Sequence, residues 1–208
     1  MGKGAETRQA ILDRAVGLAS AVGLEGLTIG RLAEEMELSK SGLFAHFRSK
    51  EALQVQTLEA AGAQFVEAVV KPALAVPRGE PRLRALFERW LAWDLARPGG
   101  CVFVAASIEL DDQPGPARDV LVRLQKDWLD FLAGAVRGAV AERHFRKSVD
   151  PEQFAFQVYG TMLVSHHSSR LLRDAKARER ARRAFDGLVL AARVPGSSST
   201  GSRHANAQ

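Results

Sequence analysis

Apolar residues recur every three or four positions along most of this 208-residue chain, which is the spacing of amphipathic helices. The N-terminal part predicts one helix over residues 5–22, ended by Gly23. Three further helices are predicted to begin at the capping residues Thr28, Ser39 and Ser49. The first third of the chain is therefore predicted to be helical.

Longer helices are predicted after Pro72 and Pro77, which are expected to end the fourth. The apolar spacing places them over residues 80–97, 101–110, 116–143, 150–173 and 174–191. No stretch of the first 192 residues alternates as a strand does, so the sequence predicts an all-α fold. Residues 193–208 are rich in glycine and serine and predict a disordered tail.

The composition suits a folded protein, with 46% hydrophobic and 25% charged residues. The single cysteine, Cys101, excludes an internal disulfide framework and a Cys-rich zinc site. No apolar run approaches the roughly 18 residues of a membrane span, and the charged first helix is unlike a signal peptide. We therefore expect a soluble cytoplasmic protein without a membrane partner.

The chain is basic, with a formal net charge of +5 and a pI of about 9.8, which favours a nucleic-acid partner. However, seven of the basic residues and only two acidic ones lie within residues 170–183. A solvated helix face is the more common explanation of such a run. Net charge alone does not identify the function.

The segment Leu27–Lys50, LTIGRLAEEMELSKSGLFAHFRSK, predicts two short helices joined by a turn at residues 36–38. This is helix-turn-helix geometry, in which the second helix lies in the DNA major groove. No acidic residue occurs between Lys40 and Lys50, so the outward face of the second helix is locally positive. The side chains expected to be buried between the helices are Leu32, Met36, Leu38, Leu43 and Phe47.

The run SKSGLFAHFRSKEAL at Ser39–Leu53 resembles the recognition-helix signature of the TetR family of bacterial transcriptional regulators. The preceding LTIGRLA is similar to that family too, and the likeness covers residues 5–55. The resemblance implies a DNA-binding domain over residues 1–48, with its motif at about 28–47, and a ligand-binding and dimerisation domain over 49–192. It implies a homodimer, most often a repressor, that binds a pseudo-palindromic DNA operator and is released by a small-molecule effector.

The resemblance also assigns contacts to the DNA backbone. Thr28, His46 and Lys50 match family residues that contact phosphate. Phe44 matches a position usually held by a tyrosine that packs on the sugar-phosphate backbone. Burial in the core is the alternative for Phe44, since aromatic residues are usually buried.

Lys40, Ser41 and Gly42 match the groove-facing start of the family's recognition helix. The family more often has glycine followed by threonine here, so the base-reading side chains of this chain are unusually small. Ala45 replaces a second aromatic residue that is common in the family. Glu37 stands at a turn position that is often glycine, where a left-handed backbone costs about 1–2 kcal/mol. These departures leave the operator sequence open.

The larger domain is expected to hold a ligand chamber among the helices that follow residue 80. Such a chamber favours a hydrophobic or aromatic compound, oriented by His166, Ser165 or Thr161. Ordinary core packing is the alternative for each candidate. The candidate lining residues are Phe87, Trp90, Trp93, Phe103, Trp128, Phe131, Met162 and His166.

The last two predicted helices match the pair that forms the dimer interface in the family. Two helices from each subunit are expected to pack as a four-helix bundle. Phe154 and Val158 are the candidate interface residues.

Catalytic and metal sites are not indicated by the sequence, which has no Gly-rich phosphate loop and no Gly-x-Ser-x-Gly elbow. His166 and His167 face different ways on a helix, and neither has a histidine or carboxylate four residues later. Cys101 is expected to be a small buried apolar residue. We therefore expect no enzymatic activity, metal or cofactor. A helical enzyme and a helical protein-interaction module, neither with a DNA-binding role, remain open alternatives.

Overall fold

A computed structural model describes residues 3–195 of the chain. Within that range there is no strand, only a single bridge between Phe145 and Arg193, so the prediction of an all-α fold is confirmed. None of the described helices is long and apolar enough to cross a membrane. The nine main helices are α1 (Lys3–Val22), α2 (Ile29–Glu35), α3 (Lys40–Phe47), α4 (Lys50–Phe65), α5 (Glu80–Leu95), α6 (Val102–Leu110), α7 (Pro116–Ala141), α8 (Pro151–Arg170) and α9 (Ala177–Ala192).

Side-chain caps set the beginnings of α2, α3 and α4, as the sequence predicts. The hydroxyls of Thr28, Ser39 and Ser49 each accept a hydrogen bond from the backbone N–H three residues later, at 3.0–3.1 Å. Each bond satisfies a donor that the helix itself leaves unpaired. The helices α1–α3 then close around a small apolar core that includes Ile11, Ala15, Leu32, Leu43 and Phe47.

The turn between α2 and α3 differs from its prediction in one residue. Glu37 has a φ of 55°, the left-handed conformation. The N–H of Leu38 donates to the carbonyl of Ala33 at 2.9 Å, which fixes the chain as it leaves α2. Leu38 is 43% exposed rather than buried, because it lies in the turn outside the apolar faces of both helices.

Pro72 does not end the fourth helix. A π-helical turn, Val66–Val70, follows α4 and leads directly into a single α-helical turn, Lys71–Leu74. The N–H of Lys71 donates to the carbonyl of Val66, five residues back. Proline brings no N–H and its ring crowds the preceding turn, and the wider turn changes the hydrogen-bond register just before it. The rod that begins at Lys50 therefore extends to residue 74.

Left-handed residues separate the last three helices. Arg143 (φ 60°) follows α7, and Arg173 (φ 54°) follows α8. The N–H of Asp174 donates to the carbonyl of Ser168 at 3.0 Å, which closes the turn after α8. For this reason α9 begins at Ala177, three residues later than the sequence predicts.

The folded domain extends past the predicted helix end. Arg193 donates to both carboxylate oxygens of Glu80, at 2.5 and 2.8 Å, and thereby lowers the pKa of that carboxyl; Arg84 contributes a further hydrogen bond. The N–H of Val194 donates to the carbonyl of His144 at 3.1 Å. These bonds correct the prediction that disorder begins at residue 193. Residues 196–208 of the predicted tail lie outside the described range.

Replacing Glu37 with glycine should stabilise the protein. Glycine removes a left-handed cost of about 1–2 kcal/mol but loses about 0.5–1 kcal/mol through the freedom of the unfolded chain. We expect the free energy of unfolding to rise by about 0.5–1 kcal/mol, measured by chemical denaturation. The matched control is Glu34→Gly inside α2, which should lower it by about 1 kcal/mol. Equal losses in the two variants would show that the turn is unstrained.

Candidate nucleic-acid interface and ligand cavity

One face of α3 is buried and the other is free. Leu43 and Phe47 are buried, and α3 packs against α2 and α4. The residues on the opposite side, Lys40, Ser41, Gly42, Phe44, Ala45 and His46, are all exposed. Phe44 is 54% exposed, so burial in the core, the alternative for this residue, is wrong. A surface of small and polar side chains with one aromatic ring therefore projects from the N-terminal domain.

The beginnings of α2 and α3 lie side by side. A Cβ atom built on Gly30 would lie 3.6 Å from Lys40 Nζ and 3.9 Å from Thr28 Oγ1. The absent side chain of Gly30 thus leaves space in which Lys40 reaches toward Thr28. The structure brings together two of the predicted DNA contacts that are twelve residues apart in the chain.

Lys50 is engaged within the protein. Its Nζ lies 2.8 Å from a carboxylate oxygen of Glu25, and Gln54 Nε2 donates to Glu25 Oε1 at 3.3 Å. The hydrogen bond from Lys50, aided by Gln54, lowers the pKa of the Glu25 carboxyl. Sequence reasoning missed this pair because its partners are 25 residues apart and belong to different elements. A phosphate that contacts Lys50 either shares its ammonium group with Glu25 or replaces that carboxylate.

Glu25 also lies at the junction of the two domains. Its backbone N–H donates to Glu109 of α6 at 2.7 Å. Five residues earlier, near the end of α1, the buried hydroxyl of Ser20 donates to the carbonyl of Gly100 at 2.8 Å. A Cβ atom on Gly99 would collide with the backbone of Ser20, so only glycine permits this approach. The end of α1 is therefore attached to both ends of α6.

A cavity of about 190 Å³ lies on the other side of α4, between this helix and α7. The π-helical turn contributes Val66 and Val70 to its wall. Four of the eight predicted lining residues are present: Trp90, Phe103, Trp128 and Phe131. The remaining lining residues are Gly62, Phe65, Cys101, Leu124, Gln125, Asp127 and Tyr159.

The other four predicted lining residues serve the core. Phe87 stacks on Phe185 with ring centroids 4.2 Å apart, and Met162 is fully buried. Trp93 lies behind the cavity wall, with the guanidinium of Arg97 3.3 Å above its ring. Phe87, Trp93 and Met162 therefore do not line this cavity, contrary to the prediction. The sequence places them on apolar helix faces, which does not show whether a residue lies in the core or beside a cavity.

His166 forms a hydrogen bond with a buried carboxylate and does not line the cavity. Its Nδ1 lies 2.6 Å from Asp94 Oδ1, and the same oxygen accepts the N–H of Cys101 at 2.9 Å. This group joins α5, α6 and α8. Thr161 donates to the carbonyl of Gln157 within its own helix, and neither Thr161 nor Ser165 lines the cavity. None of the three predicted polar handles lines the cavity between α4 and α7; Thr161 and Ser165 line a separate pocket between α8 and α9.

Cys101 is buried, as predicted, and also lines the cavity. Burial raises the pKa of its thiol to about 11, so the thiol is protonated at neutral pH. A protonated thiol is a poor nucleophile. Among the described residues, no group of three or more histidine, cysteine or acidic side chains is placed to hold a metal ion.

The polar wall of the cavity was missed by the sequence. Tyr159 donates its hydroxyl to Gln125 Oε1 at 2.9 Å, and Gln125 Nε2 donates to Ser107 at 3.0 Å. Burial raises the pKa of Tyr159 to about 12. These residues lie on three helices, α8, α7 and α6. A polar residue between apolar positions of an amphipathic helix was the signal available, and it does not name the partner.

The predicted interface residues, Phe154 and Val158, are buried inside the protomer, where Phe154 packs on Phe145. They cannot face a second subunit, and this prediction is corrected. The outward faces of α8 and α9 carry other apolar residues, notably Phe156 (70% exposed), Val164 (65%) and Leu190. The helix pair is retained as an interface candidate, with different residues.

Two family models match the chain. The model described as "Bacterial regulatory proteins, tetR family" matches residues 11–56. The model described as "Tetracyclin repressor-like, C-terminal domain" matches residues 79–185, about half of the chain. A search of curated proteins finds no significant match.

Solved structures resemble the whole described fold. A TetR-family transcriptional regulator from Cytophaga hutchinsonii is 19% identical, covers 93% of this chain and 98% of its own, and has a TM-score of 0.83. A TetR transcriptional regulator from Chloroflexus aurantiacus J-10-FL is 25% identical over 91% and 96%, with a TM-score of 0.79. AibR, solved in complex with isovaleryl coenzyme A and operator DNA, is 24% identical over 88% and 95%, with a TM-score of 0.66.

Proposed function

Because this chain belongs to the TetR family of bacterial transcriptional regulators, we propose that it is a cytoplasmic repressor that binds a pseudo-palindromic DNA operator as a homodimer. We further propose that a small ligand in the α4–α7 cavity releases it. The observation that carries the proposal is the exposed face of α3, with Lys40, Phe44 and His46 above a buried anchor of Leu43 and Phe47.

The proposed division of labour on DNA follows from side-chain chemistry. Thr28, His46 and Lys50 contact phosphates and fix the register of the domain. Ser41 and Gly42 allow α3 to approach the base edges closely, while Lys40 supplies a donor for guanine or phosphate. One recognition helix with such small side chains makes few specific contacts. A dimer doubles them, and the related AibR was solved with operator DNA.

Ligand release is proposed to act through α4 and α6. The cavity is lined by the C-terminal half of α4, whose first residue, Lys50, lies at the DNA side. It is also lined by the start of α6, whose other end holds the Glu25 backbone through Glu109. A ligand loosens DNA only through its different affinities for the free and DNA-bound conformations, typically about 1–3 kcal/mol. A small displacement of α4 and α6 that leaves the core packed is sufficient to produce a difference in affinity of this size.

The proposed function is tested by selection from random-sequence duplexes with the full-length protein. The enriched sequences should contain an inverted repeat whose half-sites lie one helical turn, ~34–36 Å, or a multiple apart. Enrichment of a single half-site would contradict the dimer. No enrichment, together with no salt-dependent binding to duplex DNA, would favour a helical interaction module.

Lys50→Ala should weaken binding to selected and random duplexes by similar factors, because phosphate contacts carry no base information. The slope of log affinity against log salt should flatten by about one unit per subunit, hence about two for the dimer. Fluorescence anisotropy across a salt series measures both. Lys147→Ala, an exposed lysine beyond α7, is the control and should leave the slope unchanged. A changed sequence preference with an unchanged slope would mean that Lys50 reads bases.

Phe156→Glu should convert the dimer to monomers, because the exposed ring lies on the face of α8 proposed to meet the partner. Sedimentation velocity measures the state, and operator affinity should fall with it. Ile108→Glu is the matched control, since Ile108 is at least as exposed but lies on α6. A Phe156→Glu protein that remains dimeric would remove this face from the interface.

A further inference from the structure

The cavity wall is aromatic on almost every side. Six of its lining residues carry rings, contributed by α4, α5, α6, α7 and α8: Phe65, Trp90, Phe103, Trp128, Phe131 and Tyr159. Phe65 meets Trp128 edge-on with ring centroids 4.9 Å apart, so the two rings present different orientations to one space. The Trp128 indole N–H has no protein acceptor among the described residues, but the nitrogen is inaccessible to a water-sized molecule. Ring carbons therefore form this wall.

The charge on the wall has one sign. Asp127 is the charged residue among those that line the cavity, and no lysine, arginine or histidine accompanies it there. Asp127 is exposed although it lines the cavity, which puts it where the cavity meets solvent, and it forms no ion pair within 4.0 Å among the described residues. An anionic ligand would therefore meet a carboxylate without any basic group to balance its charge.

The neutral polar groups of the wall are already committed. The Tyr159 hydroxyl donates to Gln125, whose amide donates in turn to Ser107. The Cys101 thiol is protonated and buried. The Tyr159 oxygen and the Gln125 carbonyl keep free lone pairs and Gln125 keeps one N–H, so the neutral polar groups do not repel a cation and the rest of the wall is mostly ring faces.

From this combination we infer that the cavity takes a small organic cation, an amine or quaternary ammonium attached to an apolar group. Aromatic rings attract a cation through their negative faces, and Asp127 stands at the entrance for the same charge. The inference rests on the proposed ligand-release function and names the ligand class for it. It separates this chain from AibR, whose complex contains an anionic coenzyme A thioester.

The volume limits the size of the cation. An apolar cavity of about 150 Å³ accepts benzene, and this one is about 190 Å³. One ring with a compact ammonium head fills the space, with the head near the mouth. Benzyltrimethylammonium has that shape, and neopentylbenzene is its uncharged isostere.

The test is calorimetric titration of the DNA-free full-length protein with three probes: benzyltrimethylammonium, neopentylbenzene and phenylacetate. The cation should bind about 2- to 30-fold more tightly than the neutral isostere, which is the range of cation–π stabilisation. Phenylacetate should bind most weakly. If phenylacetate or neopentylbenzene binds as tightly as the cation, or if no probe binds, the inference is overturned.

The Asp127→Asn variant tests whether the cation binds in this cavity. The variant should weaken benzyltrimethylammonium binding about 2- to 5-fold, as for an exposed charge pair, and leave neopentylbenzene unchanged. Asp130→Asn, an exposed carboxylate three residues further along α7 that does not line the cavity, is the matched control. If both variants weaken benzyltrimethylammonium binding equally, the effect comes from the net charge of the protein and not from Asp127 at the cavity.

The same preparations separate this inference from the proposed function. Binding of the cation without any DNA binding would support the cavity assignment and overturn the regulator's role. If the protein binds DNA, but benzyltrimethylammonium neither binds the cavity nor weakens DNA binding, the proposed DNA surface stands and the inferred ligand class is overturned.

Discussion

The structure depends on the close packing of α4 against α7 at Gly62, because α4 extends from the N-terminal helices to the cavity. A Cβ atom at Gly62 would lie 2.9 Å from a methyl carbon of Leu124, so a larger residue at this position would force the Leu124 side chain to move. Gly62 and Leu124 both line the cavity between the two helices. The same helix begins at Lys50 beside the recognition helix. The proposed ligand cavity and the proposed DNA-binding surface therefore lie at opposite ends of one helix.

The junction around Glu25 gives this helix a second connection. The Glu25 carboxylate accepts a hydrogen bond from Lys50, and the Glu25 backbone N–H donates to Glu109. Glu25 therefore connects the start of α4 to the end of α6. Both helices also line the cavity. One route runs along α4 itself, and the other runs along α6 and through the Glu109 and Glu25 side chains. They fit a switch that needs only a small differential free energy, of the order given by typical allosteric coupling.

The interior polar groups divide into two sets with different consequences. Asp94, His166 and the Cys101 N–H satisfy one another and join three helices, and neither Asp94 nor His166 lines the cavity. Buried groups of this kind are costly when unpaired, so the mutual bonds fix the arrangement of those helices. Tyr159 and Gln125 instead line the cavity and keep unused acceptors. Asp127 adds charge at its entrance.

The sequence by itself determined the helical fold, the caps and the recognition helix, because these depend on neighbours within one or two turns. Thr28, Ser39 and Ser49 act on N–H groups three residues away, and the periodic spacing that buries Leu43 also exposes Lys40. Only the tertiary structure decided which apolar residues surround a void and which fill the core. Phe87 and Trp90 lie on one helix, yet one stacks on Phe185 and the other lines the cavity.

Long-range pairing was likewise decided by the tertiary structure. Nothing in the local pattern links Lys50 to Glu25 or His166 to Asp94, because each pair is separated by many turns of chain. The same holds for Phe154 and Val158, whose helical face is covered by the protomer itself and not by a second subunit. Helical periodicity gives the face of a helix, whereas the identity of what packs there depends on how the helices are arranged in space.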